Sequence, residues 1–196
     1  MKVMILNTGC ANLASLKYSI KKLGFNAIIS SNIDKLSTSD KLFIPGVGTP
    51  MAAMKKIKLN NLYSFIKNYK GLVLGICLGM QLLCHVSEEC LGVKMLDVFN
   101  VKVIRIKAEN IFLPHNGWNT VNWDNKNILF KNINEKERFY FLHSYALPIN
   151  KYTVCRSNYG INFSAAIQKN NFFGVQFHPE KSGSAGSKLI KNFLEI

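Results

Sequence analysis

A thiol framed by glycines stands near the middle of this chain, in Gly75-Ile76-Cys77-Leu78-Gly79-Met80-Gln81. The apolar run 72–74 ahead of it reads as a buried strand, and residues 80–85 read as the first turns of a helix. Cys77 therefore falls where a strand stops and a helix starts, the Gly-x-nucleophile-x-Gly arrangement of a nucleophile elbow. The glycines suit it because the turn is tight and a side chain on either flank would meet neighbouring backbone. A helix N-terminus beside a thiol favours the thiolate, the form that attacks carbonyl carbon. A small buried cysteine before an ordinary helix would carry the same short pattern, so the thiol needs partners before it implies chemistry.

The chain supplies a base near its end, in Gly174-Val175-Gln176-Phe177-His178-Pro179-Glu180. A strand over 172–177 ends at His178, and Pro179 prevents its regular continuation. Residues two apart in extended chain face the same side, so His178 and Glu180 can point into one site. Glu180 then holds one ring nitrogen and the other faces the thiol, which is the division of labour in a catalytic triad. Hydrolysis through an acyl-thiol also needs donors for the oxyanion. The N–H of Leu78 is one, and the Pro45-Gly46-Val47-Gly48 loop can turn a second into the site. His85, His115 and His143 read from residue type alone as hydrogen-bonded structural residues.

The elements that must position these groups alternate in the first half. Strands are expected at 2–6, 25–29, 41–44 and 72–76, with helices at 13–23, 51–57 and 62–69. That alternation predicts an α/β fold, a mostly parallel sheet with helices on both faces. The second half changes to strand-like runs at 101–106, 120–123, 140–142, 152–156, 163–168 and 172–177, an antiparallel extension. Helix returns at 185–194. No repeat or linker divides residues 1–196, which read as one domain. Ligands of open α/β sheets sit at the carboxyl ends of the strands. The loops 7–12, 45–49 and the Cys77 elbow should therefore converge on one edge.

Composition narrows the class. No apolar run approaches a bilayer span, and the first six residues read as a strand and not a signal peptide. Cys10, Cys77, Cys84, Cys90 and Cys155 form no C-x-x-C pair, so they read as reduced thiols of a cytoplasmic protein with no metal site. The formal charge of +14 comes from lysines spread along helices and turns, which reads as solvated charge and not as a nucleic-acid patch.

The two signatures around Cys77 and His178, with Pro45-Gly46-Val47-Gly48, resemble the class I glutamine amidotransferases. More narrowly, Pro114-His115-Asn116-Gly117-Trp118-Asn119, Tyr140-Phe141-Leu142-His143-Ser144-Tyr145 and Gln176-Phe177-His178-Pro179-Glu180-Lys181-Ser182 resemble the glutaminase subunits of imidazole glycerol phosphate synthase, in histidine biosynthesis. The opening Asn7-Thr8-Gly9-Cys10-Ala11-Asn12-Leu13 is similar too. The resemblance implies a flavodoxin-like amidotransferase fold and no cofactor. It implies Cys77 as nucleophile, His178 as base and acid, and Glu180 as its orienter. It implies glutamine binding by Gly46, Val47, Gly48, Leu78, Gln81, Glu89, His143 and Ser144, with Glu88 lying beside Glu89. It implies contact of Asn12, Trp118, Tyr140 and Lys181 with a cyclase subunit, a (β/α)8 barrel that takes the ammonia. Asn116 departs from the family, which usually has an apolar residue there.

Overall fold

The computed structural model describes residues 1–9, 11–123 and 127–196; Cys10, within the opening motif, lies outside them. Strand and helix alternate at first: β1 (Val3–Leu6), α1 (Leu13–Lys22), β2 (Ala27–Ser30), α2 (Ile33–Ser37), β3 (Lys41–Gly46), α3 (Pro50–Leu59), α4 (Leu62–Lys67), β4 (Leu72–Cys77) and α5 (Leu78–Leu82). Strands then predominate: β5 (Cys84–Ser87), β6 (Val93–Lys94), β7 (Phe99–Arg105), β8 (His115–Thr120), β9 (Asn122–Trp123), β10 (Arg138–His143), β11 (Tyr145–Ala146), β12 (Thr153–Tyr159), β13 (Ile161–Lys169) and β14 (Phe172–Val175). Helix α6 (Gly183–Glu195) follows.

The main sheet runs β2-β1-β3-β4-β14-β13-β12-β9. Its first five strands are parallel, and the last three join antiparallel. Side-chain alternation divides the apolar residues between two cores. Val3, Ile5, Phe43, Leu74 and Ile76 face α1 and α6 on one side; Met4, Leu6, Leu42, Ile44 and Val73 face α3 and α4 on the other. Phe193 of α6 packs edge-on against Phe43 and Phe173, at 5.1 and 5.9 Å between ring centres. Leu189, Ile190, Phe193 and Leu194 are all buried, each worth roughly 1.5–3 kcal/mol. Helix α6 begins directly after the His178 turn, so its docking also anchors that turn.

Beside the main sheet lie the β10–β8 hairpin-like pair and a sheet of order β11-β7-β5-β6. Here the expected elements need correction. The helix after Cys77 spans only five residues, and Cys84 and His85 belong to strand β5. The carbonyls of Leu82, Leu83 and Cys84, which a longer helix would use, accept instead from Leu96, Val98, Phe99 and Asp97 N–H groups. Strand β14 stops at Val175, two residues before the expected end. Strand β8, built of His115-Asn116-Gly117-Trp118-Asn119-Thr120, and the short α2 were not anticipated. The first has no apolar alternation to betray it, and the second rests on the Asn32 cap to Lys35 N–H.

The elbow is held by close backbone approach. A methyl at Gly79 would overlap the Ile44 carbonyl of β3, and one at Gly75 would sit 2.8 Å from Gly79 and Met80 backbone. Gly79→Ala is therefore expected to cost about 3 kcal/mol of stability. Gly24→Ala, at φ +86° with nothing within 4 Å, is expected to cost only about 1 kcal/mol. Urea unfolding of the two variants checks the contrast.

Candidate active site

Cys77 ends β4 at φ 53° and ψ −113°, a region that a side chain rarely occupies. Register sets Gly46 of β3 opposite it on one side, and Val175 of β14 opposite Ile76 on the other. The sulfur lies at the floor of a cavity of about 290 Å³. Val47, Gly48, Leu78, Gln81, Glu89, His143, Ser144 and His178, all residues that the resemblance named, line it. Pro114, Leu142 and Tyr145 line it as well. Gly46 is not among the residues that line the cavity; it is buried beside Cys77 in the strand ladder.

His178 Nδ1 lies 2.8 Å from Glu180 Oε1, with both side chains almost wholly buried. The pairing arises differently from the extended-chain expectation. Pro179–Lys181 forms a 3-10 turn, and the ring and carboxylate meet across it. That turn is clamped from β10. His178 N–H donates to Tyr140 O at 2.8 Å, Tyr140 N–H donates to Ser182 Oγ at 3.0 Å, and Ser182 Oγ–H donates to His178 O at 2.6 Å. Burial disfavours charge on His178. The hydrogen bonds and charges of Cys77 and Glu180 outweigh it and raise its pKa to about 10. Its Nε2 is buried without a hydrogen-bond partner of good geometry, although Cys77 is within electrostatic reach. A base so placed can exchange a proton with the sulfur or with a molecule in the cavity.

The two adjacent glutamates separate cleanly. Glu88 points away, accepting from Arg105 N–H at 3.0 Å and pairing with Lys102 at 3.0 Å. Glu89 enters the cavity wall, and burial alone pushes its carboxyl upward. A desolvated carboxylate there suits a cationic group on the bound molecule.

A polar chain runs behind the cavity that residue type had left as isolated structural histidines. Asn119 Nδ2 donates to His115 Nε2 (3.4 Å), His115 Nδ1 to His143 Nε2 (3.1 Å), and His143 Nδ1 to the Tyr145 carbonyl (2.9 Å). The carbonyl accepts only, which fixes both tautomers. The same carbonyl accepts from Gln81 Nε2 at 2.9 Å, and Gln81 Nε2 also donates to Gln176 Oε1 at 2.9 Å. His115 is stacked between Tyr159 and Phe141, at 4.0 and 4.8 Å. Gln176, His115 and Ser182 are the site's unforeseen members. No feature of residue type singles out Gln176 beforehand; its place beside Cys77 comes from the pairing of β14 with β4.

Of the expected partner-contact residues, Trp118, Tyr140 and Lys181 form one cluster. Trp118 and Tyr140 meet edge-on at 6.2 Å, and Lys181 Nζ lies 5.5 Å over the Tyr140 ring. Trp118 is 53% exposed. Asn12 instead caps α1 through Ser15 N–H. Asn116 Oδ1 accepts from Tyr140 Oη–H at 2.8 Å.

The buried histidines set an acid limit. Burial holds His115 at about 4; burial and the neighbouring His115 hold His143 at about 3. Both titrate near 6.5 when unfolded. Between pH 6.5 and 4 the unfolded chain binds more protons, so stability falls as pH falls. The slope approaches about 1.4 kcal/mol per pH unit for each ring. His178 acts oppositely, its contribution being lost as pH rises from 6.5 through about 10. Urea unfolding at pH 7, 6 and 5 should show the acid slope, and His115→Phe should remove about half of it.

Comparison with known proteins gives the family. The class-I glutamine amidotransferase family model matches residues 4–196. The imidazole glycerol phosphate synthase subunit HisH of Buchnera aphidicola subsp. Schizaphis graminum is 54% identical over 100% of both chains. HisH of Escherichia coli is 50% identical, again over 100% of both. Among solved structures, a putative GMP synthase subunit from Thermoplasma acidophilum shares the fold, with a TM-score of 0.76 at 17% identity, covering 100% of this chain and 92% of that one. PurLQS from Thermotoga maritima gives a TM-score of 0.73 at 20% identity, covering 100% and 99%. The chain belongs to the class-I glutamine amidotransferases and, within them, to the HisH subunits of imidazole glycerol phosphate synthase.

Proposed function

We propose that residues 1–196 act as one amidotransferase domain that hydrolyses glutamine to glutamate and ammonia. The ammonia passes to the cyclase subunit of imidazole glycerol phosphate synthase, in a cytoplasmic heterodimer that makes imidazole glycerol phosphate and aminoimidazole carboxamide ribotide. One observation carries the reading. A thiol on a strained turn opens into the same cavity as an unpartnered imidazole nitrogen, and a buried carboxylate holds the other side of that ring.

In this reading Cys77 attacks the side-chain carbonyl carbon of glutamine as the thiolate. The N–H of Leu78 and the loop around Val47 and Gly48 hold the oxyanion, and Gly48 at φ +84° is free to turn its peptide. Protonated His178 gives its proton to the leaving ammonia, leaving a glutamyl thioester on Cys77. It then takes a proton from water, hydroxide attack expels the thiolate, and the carboxyl proton of the product passes to solvent as glutamate leaves. Glu89 receives the substrate's α-ammonium, and Gln81, with both amide protons already used, presents its Oε1. The Trp118, Tyr140 and Lys181 cluster supplies an aromatic and cationic face for the cyclase.

Cys77→Ala should abolish glutamate release, measured with the cyclase subunit and its nucleotide ligand present, while leaving the circular dichroism spectrum unchanged. Activity near the wild-type level would overturn the reading. Glu89→Gln should raise KM for glutamine about ten-fold or more, since a charged contact is lost. Glu88→Gln, whose carboxylate is spent on Arg105 and Lys102, should leave KM unchanged.

A further inference from the structure

Besides facing His178, the Cys77 sulfur has two further contacts among the described residues, and they act oppositely on its proton. Its S–H donates to the Leu142 carbonyl at 3.7 Å, a contact that only the protonated thiol makes favourably. Gln176 Nε2 lies 3.7 Å from the same sulfur and donates to it, a contact that strengthens as the sulfur becomes anionic.

Which end of the Gln176 amide faces the sulfur is decided by a chain of partners. The Tyr145 carbonyl can only accept, so the Gln81 atom 2.9 Å from it is an N–H donor. That nitrogen also lies 2.9 Å from Gln176, so the Gln176 atom facing it is the acceptor, Oε1. The remaining end of the amide, turned to Cys77, is therefore the donor. Gln176 is fully buried. Flipping its amide would set donor against donor where no water can intervene. Sheet register supplies the proximity. Val175, the last residue of β14, pairs with Ile76, and the next residues on the two sides are Gln176 and Cys77.

We propose that Gln176 is a positioning residue for the nucleophile, its side-chain N–H donating to Cys77 Sγ and stabilising the thiolate. The need for it follows from the short α5. Five residues give a small dipole, and the thiolate must find its support in a directed hydrogen bond as well as in His178. The proposal rests on the reading of Cys77 as nucleophile.

The test is the pH dependence of Cys77 alkylation by iodoacetamide in the purified chain, followed by mass spectrometry of the peptide that carries it. Gln176→Leu removes the donor. Gln176→Glu keeps the size and turns an acceptor oxygen to the sulfur. In both, the midpoint should rise by about one pH unit or more, a ten-fold loss of thiolate at fixed pH. With the cyclase subunit and its ligand present, kcat should fall by a similar factor and KM stay within about two-fold. A variant that retains the native spectrum and melt but also the wild-type midpoint overturns the proposal. So does a rise in KM with kcat unchanged. If the leucine variant does not fold, the near-isosteric glutamate variant decides alone. Cys77→Ala separates the two readings. An active Cys77→Ala protein defeats the proposed function, whereas an inactive Cys77→Ala protein together with an unmoved midpoint in the Gln176 variants defeats only the role of Gln176.

Discussion

The contact of the Gly79 backbone with the Ile44 carbonyl sets the position of everything chemical in this fold. It brings the turn after β4 down onto β3, closer than any side chain would allow. With that turn pinned, Cys77 has to leave the strand at positive φ, and the sulfur is lifted between β3 and β14 at the carboxyl end of the sheet. The strain at Cys77 costs of order 1–3 kcal/mol. The packed sheet offsets it, because relaxing one residue would mean separating strands whose residues fill both cores. The thiol is thus held between central strands of the main sheet, and Val47, Gly48 and Glu89 line the cavity above it.

A single backbone oxygen orders the polar groups around that thiol. The Tyr145 carbonyl accepts from both His143 and Gln81, which uses its two lone pairs. From it the donor sense runs outward in two directions. One passes through His143 and His115 to Asn119; the other passes through Gln81 and Gln176 to Cys77. Neutral amides and imidazoles have two possible orientations each, and a buried network with one fixed end has only one good solution. Burial holds both histidines low, and a second proton on either ring would in addition meet a donor and not an acceptor.

The first half of the fold was readable because buried parallel strands are short apolar runs separated by helical spacing, and 41–44 and 72–76 are of that kind. The failures have local causes. Residues 80–85 look helical, but the backbone of 96–99 captures their carbonyls, a long-range event that no local pattern reports. Strand β8 is polar and half exposed, so alternation says nothing about it. Cys77, His178 and Glu180 were legible because charge and nucleophilicity are properties of residue type. Gln176 and His115 were not, since a buried amide and a neutral imidazole acquire meaning only from which atom faces which neighbour. Glu88 and Glu89 are indistinguishable until the backbone turns one outward.

The causes of the His178 shift bear on how one ring can serve two steps. An imidazolium that keeps its proton to about pH 10 is well suited to protonate leaving ammonia and badly suited to take a proton from water. Two of the influences that raise it, a hydrogen bond and a charge, come from Cys77. Both vanish once the sulfur carries an acyl group, because a thioester sulfur is neutral and a poor acceptor. Burial, the largest influence and a lowering one, then meets only the pull of Glu180. The ring's affinity for a proton must therefore fall when the first half of the reaction ends, which is when a base is wanted. When glutamate leaves and the thiolate returns, the affinity rises again. In the proposed mechanism the switch from acid to base needs no movement of the protein, only the change of charge at the atom that His178 faces.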